Sequence, residues 1–323
     1  MKNLILQLLL STASSFCLGL IIIPILKRIK AGQPILKYVE THKDKNGTPT
    51  MGGLFFITSS IIIFYIFNSF SFGVATFSAI ITFAYMIVGF LDDFLKIKQK
   101  DNEGLKPYQK IVFQFAIAII ASVYCLRNGI TTFNLPFTIT SVSLGYFTIP
   151  IVIFIFLAIT NSVNLTDGLD GLASSVSVVY LLAISVLIYL QGQPIDSQTD
   201  TYELISLSIC FVGGLLGFLI FNVNKASVFM GDTGSLALGG LVGSVSIFSN
   251  NALLIPILGF TFVFSAVSVI LQVLHYKRTK KRLFLMAPYH HHLQLKGLTE
   301  SKIVYIYSVL TSILGISLII SYL

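Results

Sequence analysis

Long, unbroken apolar runs separated by short polar stretches fill this chain from end to end. Ten of them (4–26, 51–67, 75–91, 111–126, 147–163, 172–190, 204–222, 235–249, 253–275 and 302–322) approach the roughly 20 residues that a helix needs to cross a hydrocarbon core about 30 Å thick. The runs do not alternate with period two, so they predict membrane helices and not the strands of a β-barrel. Several are short, a mismatch that tilt and snorkelling at the polar ends absorb. The expected fold is all-α: a polytopic integral membrane protein of about ten transmembrane helices, one transmembrane domain over 1–323 with its chemistry on the loops of one side. The first run is too long for the apolar part of a signal peptide and lacks a small-residue cleavage site, so it is expected to stay as a span. Composition agrees, with 11% charged residues against roughly 25% in an average soluble domain.

Charge orients the bundle. With ten spans, alternate loops fall on opposite sides, and one side collects Lys27, Arg28, Lys30, Lys37, Lys43, Lys45, Lys96, Lys98, Lys100, Lys106, Lys110, Lys225, the basic run 275–282, Lys296 and Lys302, leaving only Lys2 and Arg127 for the other. Lys and Arg accumulate on the cytoplasmic side, so both termini are expected to be extracytoplasmic. The net charge of +8 sits in those inner loops and suits anionic lipid or phosphate ligands; no pattern for nucleic-acid binding accompanies it. Cys17, Cys125 and Cys210 lie in or near apolar runs without metal-ligand spacing and read as small apolar fillers. Of the outer connections, 127–146 is expected to hold a short hairpin, and 191–203 reads as a plain solvated loop.

The inner loops carry the candidate chemistry. Between the fifth and sixth runs stands Asn161-Ser-Val-Asn164-Leu-Thr-Asp167-Gly-Leu-Asp170-Gly. An Asp inside a bilayer costs about 2.5–3.5 kcal/mol on insertion scales, which asks for a function beside the membrane. Asn161 and Asn164, three apart, share a helix face, and the two Asp-Gly pairs predict a tight turn carrying the acids; a simple polar turn is the alternative. In the first inner loop, Thr50 precedes Met51-Gly52-Gly53 and a helix start, where backbone N–H groups favour an anion and Lys45 adds a charge, although the order is not that of a Walker loop. An inner loop obeying the orientation rule alone would look similar.

Asp92 and Asp93 end the third run; adjacent carboxylates repel, and a cation or Lys96 must compensate. Lys106 and Lys110 could be snorkelling anchors. Asp232 stands between Gly231 and Gly234 just before a span, its carboxylate open to an ion unless it serves only as a helix cap. The basic run fits a membrane surface. His290, His291 and His292 point in different directions and suit several phosphate or carboxylate contacts better than one zinc ion.

All these clusters fall on one side and predict one shared site. Five acids with lysines and histidines around them match phosphoryl transfer, in which a divalent cation neutralises phosphate oxygens. Hard carboxylate donors with few softer ligands point to Mg²⁺.

The ordered set of Gly47-Thr-Pro-Thr-Met-Gly-Gly53, Leu91-Asp-Asp93, Asn161 to Gly171, Phe229-Met-Gly-Asp232-x-Gly-Ser235 and Ala287-Pro-x-His290-His-His292 resembles the phospho-N-acetylmuramoyl-pentapeptide transferases. These are a branch of the polyprenyl-phosphate N-acetylhexosamine-1-phosphate transferases, and the likeness runs over essentially the whole chain. The resemblance implies transfer of phospho-N-acetylmuramoyl-pentapeptide from its UDP carrier to undecaprenyl phosphate, giving lipid I and UMP in peptidoglycan synthesis. It also implies a bacterial inner-membrane protein, with ten helices, both ends outside and the site facing the cytoplasm.

By the same matching, Asp92, Asp93 and Asp232 are catalytic: Asp232 holds Mg²⁺, Asp92 deprotonates or orients the lipid phosphate, and Asp93 assists. Lys45, Asn164, Asp167, Asp170 and Phe229 contact the nucleotide-sugar, Phe229 near uracil. His290, His291 and His292 sit by the sugar or pyrophosphate, and Thr50, Lys96, Lys110 and Asn161 complete the substrate-binding set. Membrane lipids are partners, and a homodimer is compatible with the pattern. Two departures bear on sugar or peptide specificity: Gln294 stands where the family usually has Glu, and Ser265 where a Glu is expected. Direct attack and a covalent enzyme intermediate both stay open. The alternatives are a sister N-acetylglucosamine-1-phosphate transferase and a membrane transporter; transport sites usually place ionisable groups near mid-bilayer, and none of the 13 acids falls mid-span.

Overall fold

The computed structural model describes residues 2–29, 47–68, 72–99, 104–192 and 198–323. Each of the ten apolar runs lies on helix. In chain order the elements are α1 (Lys2–Arg28), α2 (Gly53–Phe67), α3 (Val74–Gln99), α4 (Pro107–Arg127), the strands β1 (Thr132–Asn134) and β2 (Ser141–Ser143), α5 (Thr148–Thr166), α6 (Leu172–Gln191), α7 (Gln198–Asn222), α8 (Gly231–Phe248), the one-turn α9 (Ile255–Leu258), α10 (Phe260–Thr279), α11 (Tyr289–Leu295) and α12 (Glu300–Ile320). The ninth run is divided, because Pro256 starts α9 without an N–H to give and Gly259 leaves helical geometry at ψ 22°. Helices also outlast the apolar runs on the site side. α3 continues eight residues past 91 and carries Asp92, Asp93 and Lys96 on helix, since a hydrogen-bonded backbone continues wherever no Gly or Pro stops it.

Eight helices (α1, α3, α4, α5 with the turn before it, α6, α7, α10 and α12) are long and apolar enough to cross a membrane among the described residues. The chain is therefore a multi-pass α-helical membrane protein. α2 has only 15 residues. α8, rich in Gly and Ser, is less apolar for a physical reason: sixteen of its eighteen residues are buried, so it meets other helices and not lipid. Its small residues let neighbours close in. A Cβ at Gly240 would strike the ring of Tyr85 on α3, and one at Gly239 the backbone of Thr160 on α5. α1, α4, α10 and α12 lie outermost, with most of their apolar windows exposed.

β1 and β2 pair antiparallel, Phe133 opposite Val142, in the outer connection where a hairpin is expected. That end is closed by amides: Asn134 Nδ2 donates to Asn251 Oδ1 at 3.2 Å, and Gln191 and Asn251 exchange bonds of 2.9 and 2.8 Å. Cys125 and Cys210 are buried fillers, whereas Cys17 is exposed on α1. The opposite end gathers the C-termini of α3, α5 and α7 and the N-termini of α4 and α8, and there the polar motifs meet.

Candidate active site

The first N–H groups of a helix have no partner within it. At α8 they are satisfied from α3: Asp93 Oδ1 accepts from the Asp232 amide at 3.2 Å, and its Oδ2 from the Thr233 amide at 2.9 Å and the Thr233 hydroxyl at 2.7 Å. Asp93 is fully buried, with both oxygens committed to α8's first turn. α8 starts at Gly231, whose φ of 70° favours glycine and whose Cα abuts Thr50 and Asp93. α3 comes this close because residue 89 is glycine; a Cβ there would collide with the backbone of Asp232 and Thr233. Gly89→Ala is expected to destabilise the protein by about 1–3 kcal/mol through overpacking. A thermal melt in detergent measures it, and an unchanged midpoint would count against this contact.

With α8 fixed, Asp232 projects into a ring of partners. Its Oδ1 accepts from Asn164 Nδ2 at 2.7 Å, and its Oδ2 meets Lys110 Nζ at 2.8 Å and Lys96 Nζ at 3.1 Å. Lys96, one turn after Asp92, also lies 2.6 Å from Asp92 Oδ2, while Asp92 Oδ1 accepts from the Leu105 amide at 2.9 Å. One oxygen from each of Asp92, Asp93 and Asp232 falls within 4.8 Å of the others. The three groups offer hard oxygen donors, the set a divalent cation such as Mg²⁺ takes. Asp93 is committed to α8's backbone, whereas Asp92 and Asp232 are paired with Lys96 and Lys110, cations that a metal ion can replace, so these two have the capacity to hold it.

Beside Asp232 opens a cavity of about 240 Å³ lined by Asn164, Asp167, Asp170, Asn222 and Phe229, with Thr50 and Lys96 at its wall. Burial first, then the charges of Asp232, Asp93 and Asp170, push the Asp167 carboxyl well above the usual range. Asp170 is tied down: its Oδ2 accepts from the Ala226 amide at 3.0 Å. Asn222, at the end of α7, accepts from the Gly171 amide and the Ser174 hydroxyl, both at 3.1 Å, and donates to Val228 O at 3.0 Å, stapling the acidic turn to the loop before α8. Phe229 is held by its backbone, which donates to Pro49 O and accepts from the Gly52 amide, both at 2.8 Å. Thr50 beside it is buried with no partner for its hydroxyl among the described residues.

The sequence profile of Glycosyl transferase family 4 matches residues 75–250, and phospho-N-acetylmuramoyl-pentapeptide-transferase signature 1 matches 45–57. The chain is 43% identical over 320 residues to the phospho-N-acetylmuramoyl-pentapeptide-transferase of Clostridium novyi (strain NT), covering 97% of this chain and 95% of the relative. It is 43% identical over 301 residues to that of Clostridioides difficile (strain 630), covering 92% and 91%, and 41% identical over 293 residues to that of Helicobacter pylori (strain J99), covering 86% and 82%. The chain belongs to the phospho-N-acetylmuramoyl-pentapeptide-transferase family.

In this family member the signature stretch brings Thr50 against Gly231 and pairs with the Phe229 backbone; Lys45 lies outside the described residues. The three histidines of α11 separate into three settings. His290 is fully buried beside Gly168, where a Cβ would strike its Nε2, so the first Asp-Gly turn makes room for the ring. Neither of its nitrogens has a partner among the described residues, and burial, then His291, holds its imidazole well below its ordinary value and therefore neutral. His291 Nδ1 faces Gln294 Oε1 at 3.2 Å. His292 Nδ1 accepts from the Leu285 amide at 3.1 Å, which makes it a brace for the loop before α11.

Gln294, the departure from the family's Glu, has a local reason. Its Nε2 donates to Glu300 Oε1 at 3.3 Å while Glu300 Oε2 accepts from the Asp170 amide at 3.2 Å, so a carboxylate at 294 would face another carboxylate. Ser265 is buried and self-satisfied, its hydroxyl donating to Thr261 O at 3.0 Å. Asn161 is not at the cavity wall; its amide donates to Gln114 Oε1 at 2.7 Å and to Leu157 O at 2.8 Å, bracing α5 on α4. Asn222 and Glu300 belong to the site region without standing out in the sequence, whereas Ser235, which accepts from Asn164 at 2.8 Å, closes the Asp232 motif. For Asn222 there was one signal, an amide closing an apolar run. Glu300 lies 130 residues from Asp170 and gave none.

Proposed function

We propose that this chain transfers phospho-N-acetylmuramoyl-pentapeptide from UDP to undecaprenyl phosphate, releasing UMP and forming lipid I, at the cytoplasmic face of a bacterial inner membrane. One observation carries the reading: Asp92, Asp232, Lys96 and Lys110 form one ion-paired cluster, and its members Asp232 and Lys96 line a cavity together with Asn164, Asp167, Asp170 and Phe229. Its size and polarity suit a phosphorylated ligand with a planar ring. The membrane end that holds this site also carries nearly all the Lys and Arg, which favours ten spans with both termini outside.

In the reaction, an oxygen of the lipid phosphate bonds to the sugar-bearing phosphorus while that phosphorus gives up its bond to UMP, which leaves with the electron pair. Lys96 and Lys110 spread the charge of the phosphates. Asp92, fixed between the Leu105 amide and Lys96, orients the incoming phosphate and takes its proton where one is present. Asp232, with Asp92, would hold Mg²⁺, which supplies neutralisation of the diphosphate oxygens. Asn164, Asp167, Asp170 and Phe229 bind the nucleotide-sugar, with Phe229 against the uracil, and Thr50 at the cavity wall completes that set. His290 and His291, reached past Gly168, face the sugar side. Asp93 acts by holding the α8 turn that presents Asp232.

Purified protein with UDP-N-acetylmuramoyl-pentapeptide, polyprenyl phosphate and Mg²⁺ is expected to release UMP, to stop with EDTA and to recover when Mg²⁺ is restored. Turnover of UDP-N-acetylglucosamine without turnover of the muramoyl substrate would assign the chain to the sister activity instead.

A further inference from the structure

The segment after α10 is built more elaborately than a charged loop needs to be. Lys277, Arg278, Lys280, Lys281 and Arg282 are all exposed, and none has a carboxylate partner among the described residues. Lys280 takes a φ of 58° and turns the chain back. Gln272 then clamps the returning backbone: its Oε1 accepts from the Leu283 amide at 3.1 Å and the Phe284 amide at 2.8 Å, and its Nε2 donates to Phe284 O at 3.1 Å. Arg282 Nη1 donates to Leu285 O at 3.2 Å and closes the turn.

Gln272 lies seven residues before the end of α10, about 10 Å along its axis at the helical rise. The segment 283–285 therefore runs back beside the apolar, outward-facing part of α10, where Leu274 is 59% exposed, and it leaves Leu283 and Leu285 about half exposed at that depth. Cations at the turn with leucines a few ångströms further in is the segregation of a segment that sits in a membrane interface. A mere orientation signal requires the charges but neither the clamp nor the leucines.

We propose that residues 277–285 form a docking surface for anionic phospholipid headgroups, and that its occupancy steadies the histidine helix α11. The link to α11 is direct. The Leu285 amide donates to His292 Nδ1 at 3.1 Å, and the Phe284 ring stands edge-on to Tyr289 and His292, 5.5 and 5.7 Å between centroids. The inference rests on the membrane placement of α10 and not on the proposed reaction, so it is read without turnover.

Hydrogen exchange of the full chain in nanodiscs tests it, in phosphatidylcholine alone, in phosphatidylcholine with phosphatidylglycerol, and in phosphatidylcholine with polyprenyl phosphate. Phosphatidylglycerol is expected to slow exchange of the 283–292 amides about tenfold, and polyprenyl phosphate to leave it unchanged. The joint change Lys280→Gln, Lys281→Gln and Arg282→Gln should abolish the protection, and so should Leu283→Ser with Leu285→Ser, which keeps every cation. No protection by phosphatidylglycerol, equal protection of the variants, or protection by polyprenyl phosphate alone would overturn the proposal.

Discussion

Asp232→Asn is expected to lower UMP release by about 10³-fold or more and to abolish Mn²⁺ binding read by electron paramagnetic resonance. The carboxylate is where three fixed partners converge, Asn164 on one oxygen and Lys96 and Lys110 on the other. The amide keeps the shape and loses the charge, so both ammonium groups face a neutral oxygen or an N–H. The loss of stability is the smaller effect, because Lys96 keeps Asp92 at 2.6 Å and α8's first turn stays bound to Asp93. Lys110→Gln makes the matched control. It takes one cation from Asp232 and leaves the carboxylate, so Mn²⁺ binding should persist while turnover falls about 10–10²-fold through weaker phosphate neutralisation. Stoichiometric Mn²⁺ binding by Asp232→Asn would remove Asp232 from the ion site and leave the acids a purely lysine-paired cluster.

What could be read along the chain followed from constraints that act locally. Lipid demands long apolar helices, so ten runs were visible, and the lysine-rich loops marked the end at which Asp92, Asn164, Asp167, Asp170 and Asp232 assemble. The eighth run, 235–249, stands among the ten, but α8 falls short of the apolarity of a span, since a helix surrounded by other helices needs small residues such as Gly239 and Gly240 more than apolar ones. Side-chain direction was the part that could not be read. Asp92 and Asp93 are adjacent and chemically identical, yet one helical step of about 100° turns the first to Lys96 and Leu105 and the second to the amides of α8. The histidines divide for the same reason, with His292 bracing Leu285 and His290 seated at Gly168. Asn161 and Asn164, placed on one helix face by their spacing, end at different depths, the first on Gln114 and the second on Asp232. The bridge of Gln294 and Glu300 to Asp170 joins distant segments by tertiary contact alone.

The adjacent acids can be told apart by a double-mutant cycle. If Asp93 acts only by holding α8's first turn, Thr233→Val, which removes the 2.7 Å hydroxyl bond, should weaken Mn²⁺ binding about 3–10-fold in the same direction as Asp93→Asn, for which about 10²-fold is expected. The larger loss follows from the bonding: a carboxylate accepts from two amides and a hydroxyl at once, whereas a carboxamide turns its own N–H₂ towards one of the two amides and leaves that buried N–H unsatisfied, at about 1–3 kcal/mol. Both changes act on the one contact between residue 93 and α8's first turn, so in the double variant the loss should fall short of the product of the two single losses. A carboxylate that touched the ion or the lipid phosphate would act independently of Thr233, and the two losses would multiply to about 300–1,000-fold. A melting midpoint of the double variant equal to that of Asp93→Asn would show that the cycle reports the position of Asp232 and not a further loosening of the α3–α8 contact.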